Sequence, residues 1–190
     1  MAELSTVDRI ADTLDRIANE QSVELHYACE SGSRAWGFAS DDSDFDVRFI
    51  FVRPVEEYLT LKPRRDVIEL PIIDDLDVNG WDIFKACRLL QKSNPPLLEW
   101  LGSPTVYIEN TGIAQQLRDQ AREHFSARAC CEHYLSMAQA VYETYVNDRE
   151  VVIRKKYLYV LRPLACIRLM LTHDTFPSTA FAEVLSDIES

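Results

Sequence analysis

The stretch Gly32-Ser33-Arg34-Ala35-Trp36-Gly37, followed closely by Asp44-Phe45-Asp46-Val47, decides how this chain reads. A Gly-Ser turn passes through the polar loop Ser40-Asp41-Asp42-Ser43 into two aspartates separated by one apolar residue. In an extended strand, residues i and i+2 face the same way. Asp44 and Asp46 are therefore expected to project together, with Phe45 and Val47 facing a core. Neighbouring carboxylates repel unless a cation sits between them. Hard oxygen ligands of this kind suit Mg²⁺ (or Mn²⁺), which one or two carboxylates plus substrate phosphates commonly hold. A small turn ahead of them can offer backbone N–H groups to those phosphates. The pairing points to phosphoryl or nucleotidyl transfer.

The surrounding pattern supplies a scaffold for that pair. Ser5-x-x-Asp8 reads as a capping box, and Val7, Ile10, Ala11, Leu14, Ile17 and Ala18 recur at helical spacing up to Asn19–Ser22. Val23–Cys29 reads as a strand entering the Gly-Ser turn, and Asp44–Val52 as a second strand stopped by Pro54. Val55–Leu61 reads as a short helix or turn. Asp66–Ile73, with Pro71, suits an edge strand. Leu76–Ile83 is a further strand leading into a helix over Phe84–Gln91, which Asn94-Pro95-Pro96 breaks before a helical turn at Leu97–Leu101. Helices are expected over Ile113–Phe125, Ala129–Val146, Val152–Leu171 (with Pro163 kinking it) and Ala180–Ile188. This predicts an α/β (α+β) fold with a small mixed sheet. A catalytic domain would occupy residues 1–110 and a helical substrate- or nucleotide-binding region residues 111–190.

The chain of 190 residues is 47% hydrophobic, enough for a sizeable core. No run approaches the roughly 18 apolar residues of a membrane span. The acidic start Met1-Ala2-Glu3-Leu4 lacks a signal-peptide pattern. Five cysteines, with no C-x-x-C spacing, read as reduced thiols, mostly in the core, of a cytoplasmic protein. The net charge of −11 argues against a general nucleic-acid binder. Its distribution is uneven: residues 1–111 hold 11 basic and 21 acidic side chains, whereas residues 112–170 hold 9 and 6. The basic helical part is expected either to face the carboxylates across a cleft and grip an anionic substrate, or to be a solvated face.

Five segments together resemble one known family: Gly32–Ser40, Ser43–Ile50, Gly80-Trp81-Asp82, Lys92-Ser93-Asn94-Pro95 and Leu98-Glu99-Trp100-Leu101. It is the predicted nucleotidyltransferase family, also called the RNA-repair-pathway DNA polymerase β family, of the DNA polymerase β-like superfamily. Lys155–Leu164 is similar to its C-terminal helix, and the resemblance covers about residues 23 to 175. Members run somewhat longer, which implies a chain short at its C-terminus. The resemblance implies transfer of a nucleoside monophosphate from an NTP such as ATP to a hydroxyl, with pyrophosphate released. Gly32 and Ser33 would hold the β- and γ-phosphates, and Asp44 and Asp46 would bind two divalent metals. A third carboxylate on a neighbouring strand would help activate the acceptor hydroxyl. The family name suggests RNA as acceptor; a small molecule or a protein hydroxyl is the alternative.

The third carboxylate has two candidates. Strand parity puts Leu76 and Val78 in the core and turns Asp77 to the opposite side. The Gly-Trp-Asp segment points instead to Asp82, which a bulge at Gly80 would bring round, unless Asp82 caps the following helix. Arg34 is a candidate phosphate contact. Arg48 shares the parity of the aspartates and is a candidate neutralising partner. Lys155 or Lys156 could meet the triphosphate, Tyr157 could support base or ribose, and Trp36 could stack on a substrate ring or pack. The rival functions are a protein-modifying, antitoxin-type nucleotidyltransferase and a non-catalytic nucleotide-binding module, which has no chemical need for both aspartates. Arg128-x₄-His133 weakly matches a helical RNase pattern.

Overall fold

The computed structural model describes residues 5–62 and 64–189. Within them the fold is mixed α/β. Helix α1 (Thr6–Gln21) leads into strand β1 (Glu24–Glu30), a single helical turn α2 (Gly32–Ala35) and β2 (Phe45–Val52). After α3 (Val55–Tyr58) come β3 (Val67–Glu69), β4 (Leu76–Asp82), α4 (Ile83–Leu90), α5 (Pro95–Leu101) and β5 (Val106–Glu109). The remainder is helical: α6 (Thr111–Glu123), α7 (Ala127–Tyr145), α8 (Arg154–His173) and α9 (Phe181–Glu189). None of the described helices is long and apolar enough to cross a membrane.

The strands form one five-stranded sheet in the order β3-β4-β2-β1-β5. β2 and β4 run parallel, and the other neighbours are antiparallel. Alternation along β2 sorts its side chains between two cores. Val47, Phe49 and Phe51 meet α1 through Ile10, Leu14 and Ile17. On the other face Ile50, with Tyr27 and Cys29 of β1, meets α4, α5 and α6 through Ala86, Leu90, Leu97, Trp100, Ala114 and Leu117. Each fully buried aliphatic side chain contributes about 1.5–3 kcal/mol. Ser5 caps α1 in the expected reciprocal box with Asp8.

Two features depart from expectation, and the alternative left open at Gly80 is decided. Val106–Glu109 forms an additional edge strand. The Gly-Ser turn is the start of α2. The β2–β4 register runs without interruption from Phe45↔Leu76 to Phe51↔Asp82, with no bulge at Gly80. Gly80 has a packing role instead, because a Cβ there would lie 2.1 Å from the Phe49 ring.

The helices from residue 111 onward divide by packing. α6 closes the second face of the sheet, while α7, α8 and α9 share a third core that includes Cys130, Tyr134, Cys166, Met170 and Val184. A buried ion pair ties these helices to α5 and α2. Arg162 of α8 donates to Glu99 at 2.6 Å and to the Thr179 carbonyl at 3.0 Å. Tyr134 also donates to Glu99, and Trp36 Nε1 donates to its second oxygen at 3.0 Å. Burial opposes the charge on Arg162, but Glu99, Tyr134 and Cys166 around it together outweigh that and hold its pKa up. All five cysteines are free thiols.

Candidate active site

The site lies at the end of the sheet where β1 finishes and β2 and β4 begin. The chain leaves β1 at Glu30 and turns into α2 with Gly32 at φ +59°. Ser31 N–H donates to the Asp46 carbonyl at 2.8 Å, lashing this turn to β2. Ala35 and Trp36 N–H close back on Ser31 and Gly32. The amides of Gly32, Ser33 and Arg34 have no partner within so short a helix. They are the donors the turn can offer an anion.

Gly32 and Asp46 are in contact. A Cβ on Gly32 would fall 2.1 Å from Asp46 Oδ2. One carboxylate oxygen of Asp46 therefore points at the turn. Glu30, buried beneath, accepts the Asp46 amide at 2.8 Å and the Tyr107 hydroxyl, so β1 and β5 hold the start of β2 in place. Burial pushes the Glu30 carboxyl up, against those two hydrogen bonds. Burial likewise raises Asp46. Arg48 opposes that shift, and the Asp77 and Asp44 charges reinforce it. Asp44 precedes β2 and is exposed.

Asp77 stands opposite Asp46 in the parallel ladder. Paired residues share a face, so the two carboxylates adjoin, and Arg48 Nη2 bridges them at 2.8 and 2.7 Å. Asp82 goes elsewhere. It pairs with Phe51, on the opposite face, five residues and roughly 16 Å farther along β4. It accepts the Phe84 amide at 2.8 Å as N-cap of α4 and the Tyr58 hydroxyl at 2.8 Å. The structure thus gathers Gly32, Ser33, Asp44, Asp46 and Asp77 and leaves Asp82 apart.

The basic candidates separate in the same way. Lys155 reaches the Asp44 loop and donates to Ser43 Oγ at 2.7 Å. Arg34 is committed to that loop: it donates to the Ser43 and Asp44 carbonyls at 2.7 and 3.1 Å and stacks on Phe45. Lys156 sits over the Tyr145 ring at 4.0 Å. Tyr157 is exposed. Trp36 packs edge-on against Tyr159. Tyr159, which sequence reasoning missed, approaches the site in place of Tyr157. Burial raises its pKa, as do Asp46 and Asp44, against a hydrogen bond with Ser33. Lys155, Tyr159 and Arg162 are spaced i, i+4, i+7, one helix face; that spacing was the available signal. Glu30 and Tyr107 left none, because only the fold brings them beneath Asp46.

Among the described residues, no group of three or more His, Cys, Asp or Glu side chains forms a ready-made metal cage. Asp44 and Asp46 fit the smaller requirement of Mg²⁺, one or two carboxylates completed by phosphate oxygens.

A mixed sheet bearing a carboxylate pair against a Gly-Ser turn agrees with the arrangement that the resemblance in sequence implies. The profile of the RNA repair pathway DNA polymerase beta family matches residues 7–190, and the chain belongs to that family. The uncharacterized protein YcgL of Bacillus subtilis (strain 168) is 48% identical over 180 residues, 95% of this chain and 69% of that protein. A crystal structure of a nucleotidyltransferase-like protein from Exiguobacterium sibiricum 255-15 aligns with a TM-score of 0.41 at 14% identity. That alignment covers 94% of this chain and 63% of the other, so this chain spans less than two thirds of that protein's length.

Proposed function

We propose that this protein is a divalent-metal-dependent nucleotidyltransferase that moves a nucleoside monophosphate from an NTP to a hydroxyl, releasing pyrophosphate. The contact between Gly32 and Asp46 Oδ2 carries this reading, because it puts a phosphate-sized turn and a metal-type carboxylate against each other. The amides of Gly32 and Ser33 would bind the terminal phosphates, and Lys155 would add a cation from the opposite side. Mg²⁺ held by Asp44 and Asp46 would neutralise charge developing on the phosphates. The acceptor oxygen would attack the α-phosphorus as the bond to the bridging oxygen of the β-phosphate breaks. Asp77 is the third carboxylate in this reading and takes the proton of the attacking hydroxyl. Tyr159, kept protonated by its surroundings, would steady the Ser33 side of the turn.

The family's description favours RNA as the carrier of the hydroxyl. The test incubates the protein with each labelled NTP, Mg²⁺ or Mn²⁺, and separate pools of RNA and protein. Wild type is expected to label RNA, and Asp44→Ala/Asp46→Ala to lose labelling while keeping its circular dichroism spectrum. Label in the protein pool alone would reassign the acceptor. Equal labelling by the double variant would remove the metal assignment.

A further inference from the structure

Arg48 lies inside the carboxylate group. Its Nη2 donates to Asp46 Oδ1 at 2.8 Å and to Asp77 Oδ2 at 2.7 Å. Its Nη1 donates to the Asp77 and Val47 carbonyls at 2.9 and 3.1 Å. The two carbonyl anchors hold the guanidinium in the β2–β4 ladder independently of either carboxylate, and the side chain is only 17% exposed. A guanidinium does not lose its proton in a protein, so this charge is permanent. It fills the gap between Asp46 and Asp77, where an ion shared by those two carboxylates would have to sit.

The second oxygen of Asp46 points away from that gap. Asp46 Oδ2 faces Gly32, and Asp44 lies on the solvent side at the mouth of β2. Arg48 offsets one of the three negative charges carried by Asp44, Asp46 and Asp77. The like-charge repulsion that would otherwise call for a second ion is already met by the protein.

We propose that Arg48 is a fixed cation standing in for the second metal of a two-metal site. The chain then takes one divalent ion, at Asp44 and Asp46 on the Gly32 side, and Asp77 is a partner of Arg48 and not a metal ligand. Arg48 is thereby a positioning residue: it sets Asp77 beside Asp46, facing the acceptor. This rests on the metal-dependent reading above and departs from the two-metal expectation that the family resemblance carries.

The test counts Mn²⁺ on the full-length chain, loaded with a non-hydrolysable nucleoside triphosphate analogue, by titration and electron paramagnetic resonance. Wild type is expected to bind one ion with no dipolar coupling. Arg48→Gln is expected to bind two ions with a coupled-pair spectrum, and Asp77→Asn to retain the single ion. A coupled pair in wild type, a folded Arg48→Gln that stays at one ion, or loss of the ion in Asp77→Asn would each overturn the proposal. If Arg48→Gln does not fold, the wild-type count and Asp77→Asn still decide. Undiminished binding in Asp44→Ala/Asp46→Ala would overturn the metal site itself, a result distinct from failure of the Arg48 assignment alone.

Discussion

Asp77 and Asp82 should fail in opposite ways. Asp82 is 4% exposed and serves two structural acceptor roles, to the Phe84 amide and to the Tyr58 hydroxyl. Asp82→Ala removes a helix N-cap, at about 0.5–2 kcal/mol. It also strands the Tyr58 hydroxyl, at about 1–3 kcal/mol. A combined loss of about 2–4 kcal/mol corresponds to a fall in Tm of roughly 5–15 °C for a chain of this size. Transfer per folded molecule should persist, since the side chain faces away from Asp46. Asp77→Asn keeps the shape of the side chain. Arg48 retains Asp46 and its carbonyl anchors, so the stability change should be about 1 kcal/mol or less. Transfer, however, should drop by about 10²–10⁴, the usual contribution of a general base. Thermal melts followed by circular dichroism, paired with labelled-NTP transfer normalised to folded protein, separate the two. A folded Asp82→Ala that loses transfer as Asp77→Asn does, or an Asp77→Asn that retains it, would refute the assignment.

Gly32→Ala combines left-handed backbone strain of about 1–2 kcal/mol with a Cβ 2.1 Å from Asp46 Oδ2. It should lower Tm and weaken Mn²⁺ binding together, and wild-type Mn²⁺ affinity in this variant would contradict the contact. Alkaline pH should destabilise the fold through its buried thiols. Burial pushes Cys29 up to about 12 and Cys166 to about 11, from 9.0. The unfolded chain therefore releases these protons first. Their contribution is complete below pH 9 and declines as pH rises toward the folded values, by about 2 kcal/mol for each thiol near pH 10.5. Urea melts between pH 8 and 10.5 should show this slope, and Cys166→Ala should lessen it.

Local chemistry explains which features were legible in advance. The Ser5 box, the β2 alternation and Pro95 after Asn94 act through neighbours in sequence, so periodicity and capping residues expose them. Asp44, Asp46 and Gly32 were readable for the same reason, lying within fifteen residues of one another. β5 was not, because Val106–Glu109 is a short edge strand whose identity depends on pairing with β1. Glu99 was read as part of a family motif. Its burial against Arg162, Tyr134 and Trp36 required α7, α8 and the turn after α2 to converge.

By itself, the sequence determined a mixed α/β chain with a Gly-Ser turn ahead of two aspartates at the start of a strand, since turn chemistry and strand parity are properties of adjacent residues. Only the tertiary structure set Asp77, and not Asp82, beside Asp46. Parity left both candidates open, because a bulge at Gly80 would have reversed it. The unbroken parallel register of β2 with β4 decides which carboxylate shares the face of Asp46, and that register exists only once the two strands pair. The same pairing carries Arg48, whose parity had already placed it with Asp46, onto Asp77 as well.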